Sequence, residues 1–173
     1  MRIHLMRHGA AEPRAPSGND FDRPLSPTGR EEVLQVACEL RRLFLRTSEE
    51  PRARSVATPC RVLSSPLVRA RQTGELVREI LGPAAPWRPV EICPELGDGS
   101  LPHQLIRELA AHNGDALLVS HQPVLEGLVG ALLDAAHGVL PPALRPGTVV
   151  TLEHRGDDRW QLVRVINPGE RGR

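Results

Sequence analysis

Four side chains in this sequence have the right types to handle an oxyanion such as a phosphoryl group: Arg7, His8, Arg69 and His121. Arginine carries a permanent planar charge that pairs bidentately with phosphate or carboxylate oxygens. Histidine can attack, accept a proton or bind metal near neutral pH. Arg7 and His8 adjoin, ending the apolar run Ile3-His4-Leu5-Met6 and leading into Gly9, where the backbone can turn sharply or approach a ligand closely. Taken alone, Arg-His-Gly suits a structural turn just as well. Recurrence supplies the signal, because Arg69 and His121 also follow apolar runs.

Those runs are the elements that must position the four. Residues 3–6 read as a buried strand, residues 61–65 as a second, 90–92 as a third and 116–120 as the most convincing central one. Helical spacing follows four of the strands. Val33, Val36, Ala37, Leu40, Leu43 and Phe44 mark the first helix, which opens at Ser26-Pro27 as N-cap and first-turn proline and fades by Arg46. Thr28 and Glu31 offer a competing capping box. Ser65-Pro66 repeats the device for a second helix, stopped at Gly82. A third helix spans roughly residues 101–112, and Pro123 opens a fourth. Residues 148–152 and 160–166 read as strands joined through Arg155-Gly156-Asp157-Asp158, a hairpin signal. The order β-α-β-α-β-α-β-α-β-β predicts an α/β fold: a three-layer, open, mostly parallel sheet with helices on both faces and an antiparallel edge. In such sheets ligands bind beyond the carboxyl ends of the strands, where all four side chains would lie. Residues 1–166 are expected to form one domain, and residues 167–173 a frayed tail.

Composition narrows the classes. A chain of 173 residues, 40% apolar and 25% charged, suits one soluble domain with a sizeable core. A net charge of +1 gives no global field for nucleic acid or an anionic membrane. All the basic side chains apart from histidine are arginines, which excludes lysine Schiff-base or P-loop chemistry. With two Phe, two Trp and no Tyr, base-stacking readers of single strands are disfavoured. Cys38, Cys60 and Cys93 have neither disulfide nor zinc spacing, and neither an apolar leader nor a membrane-length run is present. A cytoplasmic location is expected. His4, His103, His112, His137 and His154 stand at no ligand spacing and read as surface or packing residues, so no metal is expected.

The blocks Leu5-Met6-Arg7-His8-Gly9, Arg23-Pro24-Leu25-Ser26-Pro27-Thr28-Gly29, Ser65-Pro66 through Arg69 to Gln72-Thr73, Pro94-Glu95-Leu96 and Val119-Ser120-His121-Gln122-Pro123 span nearly the whole chain. In order and separation they resemble the histidine phosphatase superfamily, the phosphoglycerate-mutase-like group, and within it the small phosphohistidine phosphatase branch. The resemblance implies a metal-independent, cofactor-free hydrolase with His8 as nucleophile and Arg7, Arg69 and His121 as the phosphate pocket. It implies a phosphorylated protein or small molecule as substrate and inorganic phosphate as product. Larger members place a glutamate acid in an insertion after the third strand. Here that segment is short, and Glu95 is the candidate general acid, weighed against a structural loop glutamate.

Leaving-group chemistry separates the substrates. An alkoxide needs a proton donor, since its conjugate acid is about as weak as water, whereas imidazole can depart neutral, its conjugate acid titrating at about 6.5. Protein phosphohistidine is therefore the leading substrate. Small phosphomonoesters or nucleotide-type phosphates form a second reading, and a non-catalytic phosphate-binding module a third. An intact His8 speaks against the third, because a pure binder has no need of it. Ser65 and Ser26 read as helix caps, and Arg71 as pointing elsewhere on its helix. The proline- and glycine-rich loop 10–25 is long enough to border the site, and Asp20, Asp22 or Arg23 could read a substrate there.

Overall fold

All five residues of Ala116–Ser120 are buried, as a strand covered on both faces must be. In the computed structural model, which describes residues 1–48, 60–82, 86–98, 103–112, 114–133, 144–156 and 159–170, this run is the fourth of six strands. They are β1 (Arg2–Arg7), β2 (Cys60–Ser64), β3 (Trp87–Ile92), β4 (Ala116–Ser120), β5 (Val149–His154) and β6 (Trp160–Ile166). The sheet runs β3-β2-β4-β1-β5-β6. The first four strands in that order are mutually parallel, while β5 is antiparallel to β1 and β6 antiparallel to β5. Arg7 sits opposite Ser120, and Ser64 opposite Val119. Register therefore brings the chain out of the sheet at one edge just where His8, Ser65 and His121 follow.

Four helices cover the sheet: α1 (Pro27–Ser48), α2 (Val68–Leu81), α3 (His103–His112) and α4 (Val124–Leu132). Alternation along the strands divides the core in two. Met6, Leu117 and Val119 pack with Val33, Val36, Leu40 and Phe44 of α1 and Ala70, Val77 and Leu81 of α2. Ile3, Leu5 and Leu118 pack with Ile106 and Leu109 of α3 and Leu125, Leu128 and Val129 of α4. The architecture is the predicted one, with helices on both faces and the antiparallel pair at one edge. Among the described residues no helix is long and apolar enough to cross a membrane.

Local expectations divide. Ser26 caps α1, its Oγ accepting the Gly29 N–H at 3.0 Å; that helix continues to Ser48, past the predicted fade at Arg46. Ser65 does not cap α2. Its hydroxyl is buried without a hydrogen-bond partner, and the helix begins later, at Val68, behind Leu67, which offers no side-chain cap. The turn carrying Pro66 intervenes between strand and helix. The tail is not frayed at its start: Thr148 donates to Asn167 Oδ1 at 2.9 Å, and Asn167 Nδ2 donates to Glu170 at 3.1 Å. Residues 101–102, 157–158 and 171–173, parts of the predicted third helix, hairpin turn and tail, lie outside the described residues, as does His137.

Gly9 is needed for a reason other than a turn or a ligand. A Cβ there would lie 2.7 Å from the Gly29 carbonyl oxygen and 2.7 Å from Val33. At Gly29 it would lie 2.0 Å from the Ala10 oxygen. Two glycines thus let the segment after β1 press against the start of α1. The contact fixes where His8 points.

Candidate active site

His8 follows β1 directly, and its N–H is bonded to the Ser120 carbonyl at 2.9 Å, extending the ladder past Arg7. The ring is nearly buried, 8% exposed. Its Nδ1 lies 2.8 Å from the Gly9 carbonyl oxygen. A carbonyl can only accept, so Nδ1 carries the proton. The other ring nitrogen, Nε2, accepts from Arg69 Nε at 3.2 Å. Both contacts select one neutral tautomer, with its lone pair on Nε2. Burial and the nearby charges of Arg69, Arg7 and His121 lower the imidazole pKa to about 4, outweighing the opposing bond to Gly9. At neutral pH this histidine is an uncharged base aimed at an arginine.

Gly9, whose carbonyl holds Nδ1, is itself held from its other side. Its N–H donates to Thr73 Oγ1 at 3.2 Å, and the Thr73 hydroxyl donates to the Arg69 carbonyl at 2.7 Å. Thr73 lies one helical turn after Arg69, so a single buried hydroxyl ties the histidine segment to α2. Gln72 Oε1 accepts the Leu25 N–H at 2.8 Å, fastening the long loop to the same helix. Residues Gln72 and Thr73 were visible in the sequence only as part of a block; what they do is hold backbone.

Arg7, the last residue of β1, donates through Nη1 to the Leu144 carbonyl at 2.6 Å and to Gln122 Oε1 at 3.2 Å. Gln122 in turn donates to Glu126 at 2.7 Å, which leaves its amide oxygen to face Arg7. Burial lowers the Arg7 pKa, with Glu126 opposing. Its Nε–H is buried with no partner. An unsatisfied charged donor in the interior is costly unless a ligand completes it. The Leu144 carbonyl has no side-chain signature in the sequence, and nothing there announced it.

His121 follows β4. Burial, then Arg69 and Arg7, lower its pKa, while Asp20 acts in the opposite direction. Ser120 Oγ, at the strand end, donates to the Leu96 carbonyl at 2.5 Å and lies 3.4 Å from His121 Nδ1. That first bond pins the short 3-10 turn Pro94–Leu96 against the sheet edge. Glu95 sits in this turn, but its carboxylate is exposed and accepts from the Cys93 thiol at 3.1 Å. Its pKa is lowered, by its own backbone N–H first and by Cys93 second. A general acid needs the opposite shift. The thiol is pushed up to about 11 by burial and by this carboxylate. Arg71 points away, as expected, pairing with Glu75 at 3.7 Å. His4 packs against Phe44 and bonds Thr151 at 2.9 Å. Among the described residues no group of three or more His, Cys, Asp or Glu is disposed to hold a metal.

Arg7, His8, Arg69 and His121 thus sit close enough to perturb one another at the carboxyl edge of the sheet. The arrangement offers an unprotonated imidazole nitrogen beside two guanidinium groups, which is what in-line attack on phosphorus requires.

A family model for the histidine phosphatase superfamily (branch 1) matches residues 3–101, more than half of the chain. An uncharacterized protein of Picosynechococcus sp. is 35% identical over 126 residues, covering 72% of this chain and 68% of that protein. Among solved structures, the protein histidine phosphatase SixA complexed with tungstate superposes with a TM-score of 0.74 at 28% identity, covering 97% of both chains. The alpha-ribazole phosphatase from Shigella flexneri shares the fold with a TM-score of 0.60 at 21% identity, covering 96% of each chain. So does a mycobacterial glucosyl-3-phosphoglycerate phosphatase, with a TM-score of 0.61 at 20% identity, covering 93% of this chain and 96% of the other. From the site geometry and these matches together, the chain belongs to the histidine phosphatase superfamily, branch 1, and is a phosphoryl-group hydrolase.

Proposed function

We propose that the protein removes phosphate from protein phosphohistidine through a phosphorylated His8, with Arg7, Arg69 and His121 holding the phosphoryl group. The observation that carries this reading is the tautomer of His8: proton on Nδ1 against the Gly9 carbonyl, lone pair on Nε2 toward Arg69. Nε2 attacks phosphorus in line, and the bond from phosphorus to the substrate imidazole breaks. The two arginines balance charge on the equatorial oxygens, and His121 donates a hydrogen bond to them. Water then attacks the phosphorylated ring and the P–Nε2 bond breaks. Because Nδ1 still carries its proton, His8 departs as neutral imidazole, so one hydrogen bond serves both halves of the reaction.

The leaving group favours phosphohistidine. A substrate imidazole protonated on its far nitrogen also leaves neutral, near about 6.5 for its conjugate acid, and asks nothing of an acid catalyst. The lowered pKa and exposure of Glu95 support a reaction that runs without it. Likeness to a protein histidine phosphatase over 97% of both chains supports the same substrate class.

Rapid quench after mixing with a labelled phosphohistidine peptide tests the mechanism. Wild type should retain alkali-stable, acid-labile phosphate, and His8→Ala none. Full activity in His8→Ala would overturn it. Rates on the peptide should exceed those on sugar phosphates and nucleotides; the reverse order would replace the substrate class while leaving the mechanism.

A further inference from the structure

Arg69 is gripped from outside the four-residue pocket. Its Nη1 donates to the Asp20 carbonyl at 2.7 Å, and its Nη2 to Asp20 Oδ2 at 3.0 Å. A guanidinium group presents two usable edges: an end formed by Nη1 and Nη2, and a side formed by Nε and the second N–H of Nη2. Asp20 occupies the end. The side faces His8, where Nε meets Nε2. Bidentate contact with a phosphoryl group on His8 would use that side edge, which Asp20 leaves open.

We propose that Asp20 is the positioning residue for Arg69, clamping the end of its guanidinium so that the side edge faces the phosphoryl group bound at His8. The inference rests on the proposed chemistry at His8 and adds to it a role for the long loop. That loop is built to hold Asp20. Oδ1 pairs with Arg23 Nε at 2.7 Å, and Arg23 Nη1 donates to the Glu12 carbonyl at 3.2 Å. The Asp20 carbonyl also accepts the Arg23 N–H at 3.2 Å, closing the 3-10 turn Asp20–Asp22 that Asn19 caps. Elsewhere in the loop Ser17 donates to Asp22 at 2.6 Å, a contact that includes neither Asp20 nor Arg69. The Asp20 side chain is 60% exposed and that of Arg69 only 7%. A pair with one partner in solvent contributes little to stability, so orientation is the better account of why it is made.

Orthovanadate, inorganic phosphate and two substrates (a phosphohistidine peptide and an aryl phosphate) test this on wild type, Asp20→Asn, Asp20→Ala and Ser17→Ala. Asp20→Ala should weaken orthovanadate binding and lower kcat about tenfold or more, by comparison with loss of one transition-state donor, with KM moving less than kcat. Both variants keep the backbone carbonyl contact, but Asp20→Asn also keeps a side-chain acceptor oxygen for Nη2, so it should fall between Asp20→Ala and wild type. Ser17→Ala removes a loop contact that involves neither Asp20 nor Arg69 and should stay near wild type. If Asp20→Ala binds inorganic phosphate or orthovanadate more tightly, the carboxylate is a competing plug and the proposal fails. Equal losses in Ser17→Ala would reduce Asp20 to loop packing. The same ranking on orthovanadate, with no preference for the phosphohistidine peptide, would sink the substrate reading alone and uphold Asp20.

Discussion

Arg69 Nε donates to His8 Nε2 at 3.2 Å, so the cation is bonded to the very lone pair that would attack phosphorus. This bond keeps the nitrogen unprotonated and aimed. A phosphoryl group entering between them would exchange it for bonds to oxygen. Replacing Arg69 by lysine removes the planar edge while keeping the charge. kcat/KM should fall by about 10²–10³, read from steady-state rates on either substrate class. Near-wild-type rates would show that charge alone suffices.

The proton affinity of His8 has a consequence for folding. Its folded pKa is about 4, against 6.5 for the free side chain. Between those values the unfolded chain binds a proton that the folded chain refuses. Stability therefore drops as pH falls through 6.5 and levels off below about 4, losing on the order of 3 kcal/mol. His8→Asn should lose less over that interval. Urea unfolding at pH 7 and pH 4.5 measures it, and an unchanged difference between the two proteins would contradict the shift.

Thr73→Val keeps shape and deletes the hydroxyl linking Gly9 to Arg69. The Gly9 N–H then loses its partner, costing about 1–3 kcal/mol of stability. The slackened Gly9 segment should also cost activity, roughly tenfold in kcat as a geometric effect. Chemical denaturation and single-turnover rates read the two separately. A stability loss with unaltered kcat would mean that the Gly9 carbonyl is fixed by other contacts.

Gly29→Ala is expected to be severe, because its Cβ would meet the backbone of Ala10 rather than a movable side chain. Overpacking of this kind costs about 1–3 kcal/mol or more. The thermal midpoint should fall by several degrees, since about 1 kcal/mol moves it by roughly 2–4 °C in domains of this size. An unchanged midpoint would mean that the two segments separate easily.

Glu95→Gln should leave turnover of phosphohistidine within about threefold of wild type, given that an assisting acid is worth roughly 10²–10⁴. A hundredfold loss would restore Glu95 as the acid.

Much of this was readable because strand ends advertise themselves. Ile3–Met6, apolar apart from His4, and Ala116–Val119 lead straight to the residues that matter, and one sheet edge gathers whatever follows. Period and punctuation likewise located the helices. Ser65 misled because serine-proline is a capping signal only when the helix begins at once, and here Leu67 intervenes before Val68. From sequence the tail reads as frayed because Thr148, which binds Asn167, is remote along the chain. Backbone acceptors such as the Leu144, Gly9 and Asp20 carbonyls have no side-chain identity to read. Asp20 was visible as a loop residue that could read a substrate, whereas its grip on Arg69 depends on a fold-scale approach that spacing does not encode.

Strand β1 lies between β4 and the appended pair β5–β6, and the Arg7 N–H bonds the Thr148 carbonyl at 2.9 Å. Removing the chain from Val149 onward would strip that flank and leave β1 a bare edge with open donors and acceptors. Such edges recruit other chains. The C-terminal hairpin therefore insulates β1 from self-association, and a truncated protein would be expected to aggregate before its loss of activity could be assayed.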